Sequence, residues 1–486
     1  MELACSLQGI VRWLPIILAG FVLFTEVFEF RLAVQHCHWP YPKSTYADVE
    51  PGTSPYGVVR PHHLAIVADP QITDEYSYGR TGFLLHLTNF ITDLYAKRNY
   101  WFIESVLDPD TVVILGDMFD GGRQWADEAW NVEYQRFRRI FRLDHQQNTQ
   151  RPTIYNVVGN HDIGVGETII PGAVDRYQRT FGPLNHQANV ANHTLVFLDN
   201  LSLDNTHIPG LAANATQLLD ELRAHPKPFL PRILFTHIPL YRPDGTDCGP
   251  HRYSLGTSIL QHFGFQYQNL VREPVTRRIL ESVQPEAVFT GDDHDQCWIH
   301  HTLPATGDHP DPASSSDFRI PEYTIGSFSL GGGNPRPSFG LLSLHNPTGI
   351  PTAYNQTTWE LQLCLLPNQI SLFIRYAVVF IGVTLLLGYH TYRQLSRETS
   401  AYLTIPTSSI PFRNSQSGSP TAAAIPMEDL NPGSIDTYRG QLYDEDPAPP
   451  VRKCAANLVR KTLRKIVVTC WPALLTYFIC TLYFTI

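Results

Sequence analysis

Five short apolar runs in this chain each end in polar side chains able to bind a metal. Leu64–Ala68 leads into Asp69-Pro70-Gln71, Thr111–Leu115 into Gly116-Asp117, and Thr153–Val158 into Gly159-Asn160-His161-Asp162. Ile233–Phe235 leads into Thr236-His237, and Ala287–Thr290 into Gly291-Asp292-Asp293-His294. Carboxylate, amide oxygen and imidazole together form a ligand set for Mn, Fe or Zn. Two such cations about 3.5–4 Å apart clamp the attacking and leaving oxygens of a phosphate ester. They need a bridging carboxylate with terminal ligands on either side, and Asp117 suits the bridge. Singly, a Gly-Asp is a turn, an Asn-His a loop, and His237 a satisfied core histidine. Five such pieces, each after an apolar run, outweigh those readings and predict one metal centre.

The runs themselves must be strands that deliver these residues to a common edge. In open α/β sheets, sites form beyond the carboxyl ends of strands, and glycine lets the backbone turn sharply there. Further strands are expected at Thr194–Leu198, Tyr323–Ile325 and Leu341–Leu344. Helices are expected at Phe83–Phe102, Asp127–Arg142, Ala213–Leu222 and Val271–Val283. In the last, Val271, Val275, Ile279 and Val283 recur near helical spacing. This alternation predicts an α/β layered domain over residues 63–345.

The order D-x-[H/Q], G-D, G-N-H-[D/E], H, G-x-x-H resembles the calcineurin-like metallophosphoesterases, over roughly His63 to Leu344. Gly159-Asn160-His161-Asp162 is the most specific element. The resemblance implies a β-sandwich flanked by helices, with metals at its edge. It implies one ion held by Asp69, Gln71, Asp117 and His294, and a second held by Asp117, Asn160, His237 and Asp292. His161 becomes a catalytic residue that contacts the phosphate and stabilises or protonates the leaving oxygen, with Asp162 expected to orient it. Gln71 stands where the family commonly has histidine, and Asp292 where the first histidine of G-H-x-H falls. Both still offer oxygen, and an oxygen-rich pair of sites favours Mn²⁺ over Zn²⁺.

Those two departures, with His237-Ile238-Pro239-Leu240-Tyr241-Arg242 and Gly245-Thr246-Asp247-Cys248-Gly249-Pro250, resemble a fungal cell-division-control branch of the family. That branch is similar to the mammalian phosphoesterase that remodels GPI anchors. The resemblance implies an endoplasmic-reticulum enzyme that uses two Mn²⁺ to remove ethanolamine phosphate from a mannose of the GPI glycan. The expected chemistry is in-line attack at phosphorus by a hydroxide generated at the metal pair. Arg242 and Arg252 are candidates to hold a lipid or glycan phosphate, against the plainer reading of surface arginines. Rival functions are a phosphoesterase acting on another lipid or nucleotide diester, and a non-catalytic secretory or manganese-homeostasis factor that retains the fold.

Three apolar runs, about Trp13–Phe28, Leu372–Tyr389 and Ile466–Ile486, are near the length of a spanning helix. Glu26 and Arg375 lie toward their lumenal ends, where a side chain can reach the interface. Arg393, Arg397, Arg452, Lys453, Arg460, Lys461, Arg464 and Lys465 flank the short connection between the last two runs. Positive-inside reasoning puts that connection in the cytosol and the catalytic domain in the lumen. Acceptor sequons at Asn192, Asn200, Asn214 and Asn355 all fall on the lumenal side. The resulting division is an anchor at 1–34, a lumenal linker at 35–62, the catalytic domain at 63–345 and a return segment at 346–371. A second span at 372–389, a largely disordered cytosolic loop at 390–465 and a third span at 466–486 follow. Cys37, Cys248, Cys297 and Cys364 would be lumenal, where disulfides form, and permit three pairings. A net charge of −9 argues against a nucleic-acid partner; the resemblance implies a lipid-linked glycan as substrate, and the apolar runs imply membrane lipid as a neighbour.

Overall fold

The computed structural model describes residues 7–41, 60–143, 152–225, 230–254, 256–264, 267–303, 318–345, 358–403 and 451–485. The strands are β1 His62–Val67, β2 Thr111–Leu115, β3 Thr153–Val157, β4 His186–Val190, β5 His193–Phe197, β6 Arg232–Phe235, β7 Phe263–Gly264, β8 Tyr267–Gln268, β9 Ala287–Thr290, β10 Cys297–Leu303, β11 Phe318–Thr324, β12 Ser338–Leu344 and β13 Trp359–Leu365. Two sheets carry the domain, in the orders β13-β12-β1-β2-β3 and β10-β11-β9-β6-β5-β4. β1, β2 and β3 run parallel, as do β5, β6, β9 and β11. Parallel strands are covered on both faces, which is why these runs are continuously apolar. Leu64, Ile66, Val113, Leu115 and Val157 of the first sheet meet Leu195, Phe197, Ile233, Phe235 and Phe289 of the second in one core. The expected helix-flanked β-sandwich is therefore present.

The helices are α1 Leu7–Leu23, α2 Glu29–Gln35, α3 Gly82–Phe102, α4 Asp127–Ile140, α5 Asn160–Ile163, α6 Pro171–Phe181, α7 Asn200–Leu203, α8 Ala213–Ala224, α9 Glu273–Val283, α10 Gln369–Leu403 and α11 Val451–Thr485. The sequence reading contains no helix at α6 and no strand at β4, β10 or β13. The last lies inside the stretch expected as a return segment and pairs with β12 along its whole length.

The chain divides into two compact units, Leu23–Leu372 with Ile479–Ile486, and Met1–Val22 with Phe373–Phe478. In the second unit, Leu14, Leu18, Val383 and Leu387 pack together, with Ile466 and Ala473 against them. Three helices, Leu7–Gln35, Gln369–Ser400 and Ala455–Thr485, are long and apolar enough to cross a membrane. α10 and α11 continue past the expected limits at 389 and 466. Of the loop expected to be cytosolic, residues 404–450 lie outside the described residues, as does much of the linker at 42–59 and the sequon at Asn355.

Two expectations change, and one open question closes. Glu26 does not reach out to an interface: it is buried and ion-paired with Arg98 of α3. Asn200 is buried and donates to the Ile238 carbonyl at 2.7 Å, so it cannot accept a glycan, while Asn192 and Asn214 are exposed. The cysteine pairing resolves to Cys37–Cys364 and Cys248–Cys297.

Candidate metal centre

The site stands where the parallel strands of both sheets end. β1, β2 and β3 deliver Asp69, Asp117 and Asn160, and β6 and β9 deliver His237 and Asp292. Backbone bonds lace the exits together: Gln71 N donates to Asp117 O at 2.8 Å, and Gly291 N to His237 O at 2.9 Å. Asp292 N donates to both Asp69 carboxylate oxygens, at 3.0 and 3.1 Å. Gly159 is required by close approach, because a Cβ there would stand 2.1 Å from Asp117 Oδ1 and 2.2 Å from its backbone nitrogen.

Buried His237 is the hub. Its Nδ1 donates to the Leu115 carbonyl at 2.7 Å, which turns Nε2 toward the centre. Nε2 lies 2.9 Å from Asn160 Oδ1, 3.4 Å from Asp117 Oδ1 and 3.6 Å from Asp292 Oδ1. Asp69 Oδ1 is 3.8 Å from Nδ1. Asp69, Asp117 and His237 each place a ligand atom within 4.8 Å of the others'. Gln71 Nε2 donates to Asp117 Oδ2 at 3.0 Å. His294 donates from Nδ1 to the Gly332 carbonyl at 2.9 Å, which again leaves Nε2 as the coordinating nitrogen. Metal-ligating histidines use their second ring nitrogen in this way. Burial lowers the His294 pKa, and the neutral ring is the form a metal binds.

This donor set fits cations better than it fits itself. The Asn160 side-chain oxygen faces acceptors: both Asp117 oxygens and Asp292 Oδ1 at 3.2 Å, and His237 Nε2 at 2.9 Å. Burial pushes Asp292 up to about 7, with Asp117 adding to the shift and His237 opposing it. Burial likewise raises Asp69, and Asp117 and Asp292 add to that. Three carboxylates and an amide oxygen crowded in a dry site are stabilised by positive charge between them. The backbone is also strained here. Asp69, Gln71, Asp117, Asp292 and His294 all have positive φ, between 29° and 66°. Each costs on the order of 1–3 kcal/mol and persists only because the surrounding fold imposes it.

The calcineurin-like phosphoesterase family model matches residues 62–296. Cell division control protein 1 of Saccharomyces cerevisiae is 36% identical over 358 residues, covering 72% of this chain and 68% of that protein. The chain belongs to the calcineurin-like phosphoesterases. Metallophosphoesterase 1 of Macaca fascicularis is 26% identical over 388 residues, covering 74% of this chain and 85% of that one. A solved structure, GAP50, the anchor in the inner membrane complex of Plasmodium, matches with a TM-score of 0.31 and 14% identity, over 63% of this chain and 90% of that chain.

In this phosphoesterase, His161 is held by a residue the sequence reading missed. Its Nδ1 lies 2.6 Å from the Asp120 carbonyl and 3.1 Å from Asp120 Oδ1, and its backbone nitrogen donates to Asp117 Oδ1 at 2.8 Å. Burial opposes charge on the ring, but Asp117 and Asp120 outweigh it and raise the pKa to about 9. Asp162 does not orient His161. It accepts from Gly159 N at 2.9 Å and Met118 N at 3.0 Å, and so pins the loop after β3 to the loop after β2. The signal for Asp120 was a second carboxylate three residues after Asp117.

Neither arginine candidate is placed to meet substrate freely. Arg242 is 1% exposed and bonds Glu322 at 2.6 Å inside the domain, so it is a core ion pair and not a substrate contact. Arg252 pairs with Asp293 at 2.5 Å, next to Asp292, and its charge is already committed. A cleft of about 570 Å³ opens beside His294 and Asp293, lined also by Tyr253, Ser254 and Asn334. Arg123 reaches the Asn160 carbonyl at 3.4 Å and contributes to a second cleft with Arg176 and Arg179.

Proposed function

We propose that this chain is a membrane-anchored, dinuclear-metal phosphodiesterase that removes ethanolamine phosphate from a mannose of the GPI glycan in the endoplasmic-reticulum lumen. The observation that carries the chemistry is the crowding of Asp117, Asn160 and Asp292 around Nε2 of His237, with Asp69 beside them. The likeness to the fungal branch supports the substrate. The candidate membrane spans support a lipid-linked one. The oxygen-rich ligand set favours Mn²⁺. Asp69, Gln71, Asp117 and His294 would hold one ion, and Asp117, Asn160, His237 and Asp292 the other. Bound there, the pair would acidify a water and neutralise phosphoryl charge.

The chain's own groups do the rest. Asp120 fixes the His161 ring through Nδ1 and leaves Nε2 to face the leaving mannose oxygen and hand it a proton. Asp162 keeps the loop that carries Asn160 and His161 in register with Asp117. Full-length protein in detergent with Mn²⁺ should release ethanolamine phosphate from GPI glycan fragments in preference to nucleotide and glycerophospho-diesters. Asp117→Ala and Asn160→Ala should abolish that release. Full activity in either variant refutes the metal assignment, and preference for another diester refutes the substrate.

A further inference from the structure

Helix α3 is inside out for a helix bathed in water. Its polar residues Thr88, Asn89 and Thr92 are turned to the domain, where Thr73 Oγ1 bonds Asn89 and Thr92 at 3.0 and 2.7 Å and Arg80 bonds Thr88 at 2.6 Å. Its apolar residues face out: Phe83 is 80% exposed, Leu84 52%, Phe90 43% and Leu87 39%, with exposed His86 at the margin. A surface helix normally shows the opposite arrangement.

The positions 83, 87, 90, 94, 98 and 101 are three or four residues apart, so they share one face of the helix. The later members of that face are already covered, and what covers them is the ends of two candidate membrane spans. Arg98 pairs with Glu26 and stacks near Phe30 and Phe484, at 5.5 and 5.6 Å. Trp101 meets Tyr483 and Phe484 at 5.4 and 5.8 Å. Glu26 and Phe30 belong to the span Leu7–Gln35, and Tyr483 and Phe484 to the span Ala455–Thr485. The exposed apolar stripe is thus the continuation, along the same face, of a surface that ends against membrane helices. Tyr76 and Tyr78 are 48% and 57% exposed just before the helix, with Arg80 5.1 Å from the Tyr78 ring. Tyrosine and arginine beside apolar side chains suit the headgroup level of a bilayer.

We propose that the first turns of α3, through Phe83, Leu84, Leu87 and Phe90, lie in the surface of the lipid bilayer that holds the chain's own spans. The stripe then presses the catalytic domain onto the leaflet. Tyr78 donates to the Gly331 carbonyl, adjacent to the Gly332 that holds His294, so the contact borders the metal centre. Lipid-linked substrates would meet the site along the membrane.

The test is photocrosslinking of the full-length chain in phosphatidylcholine nanodiscs, with benzoylphenylalanine placed at Phe83, at Phe90 or, as control, at Leu260, which is 55% exposed. Peptides carrying positions 83 and 90 should bear a phospholipid-mass adduct at a yield about tenfold above the control, because a side chain set into the acyl boundary is surrounded by lipid C–H bonds. Crosslinks to a second copy of the chain, or lipid yields no greater than at Leu260, would overturn the proposal. The readout needs no catalysis, so its failure is distinguishable from failure of the proposed reaction.

Discussion

Gly159→Ala is a one-carbon change expected to dismantle the metal centre while leaving the sheets intact. The backbone at Gly159, with φ −112° and ψ 169°, is open to any L residue, so conformation is not the obstacle. The obstacle is space. The new Cβ would lie 2.1 Å from Asp117 Oδ1 and 2.2 Å from Asp117 N, where real Cβ atoms essentially never come within 3.0 Å. A carboxylate could rotate away, but a backbone nitrogen cannot. The loops after β2 and β3 must therefore part by about 1 Å, and a displacement of that size at a reacting centre costs on the order of 100-fold in rate. Asn160 and His161 follow directly and move with it. Overpacking of this kind costs roughly 1–3 kcal/mol of stability. The assays are metal content after Mn²⁺ loading and desalting, Mn²⁺-dependent hydrolysis of an artificial phosphodiester, and thermal melting, all on the full-length chain in detergent. The control is Gly172→Ala: that position lies within α6 with nothing inside 4 Å, and alanine there should be neutral or stabilise by up to about 1 kcal/mol. Gly159→Ala protein with wild-type metal content and turnover would show that the two loops are not held as described.

Other outcomes follow from particular contacts. Arg242→Ala takes one partner from Glu322, which is 0% exposed but keeps His301 and the Leu240 amide, and should cost about 1–3 kcal/mol in denaturation experiments with little change in KM of the folded protein; a raised KM at unchanged stability would return Arg242 to the substrate. In secretory-pathway expression, Asn192→Gln and Asn214→Gln should each remove one glycan, read as a gel shift, and Asn200→Gln none, since Asn200 is buried; absence of glycan at both exposed sites would contradict a lumenal domain. Burial lowers His193 from 6.5 to about 4, so the unfolded chain binds more protons between those values and stability is lost as pH falls through them. That loss is about 2 kcal/mol by pH 5, and chemical denaturation should show a flatter pH dependence in His193→Gln.

The central strands were legible because a parallel strand buried on both faces is written as an unbroken apolar run, as in Thr111–Leu115. Besides the short β7–β8 pair, the strands that escaped notice are edges: β13 of one large sheet, and β10 and β4 of the other. Glu360 and Gln362 in β13, or Gln187 and Asn189 in β4, alternate with apolar residues as one-sided edge strands do, so these strands lack the unbroken apolar run by which the central ones were recognised. The candidate ligands were legible by type and order, because each follows an apolar run. Their left-handed backbone was not: Asp and His visit positive φ more often than most residues, but too rarely for residue type alone to mark the position. Arg242 was misread because its partner, Glu322, lies 80 residues away and the sequence around the arginine says nothing of it. Asp120 and Asp162 exchange roles for the same reason: proximity in sequence made Asp162 the natural partner of His161, but the turn after β2 brings Asp120 to the ring.

The position of β1 has a consequence for how the protein is made. It lies between β2, which leaves the ribosome soon after it, and β12, which is among the last pieces of the domain to be synthesised. Until Ser338–Leu344 emerges, one side of β1 offers unpaired amide and carbonyl groups on an apolar strand. The nascent chain must be shielded through most of its translation, and a transcript truncated before that point would yield a product prone to aggregate.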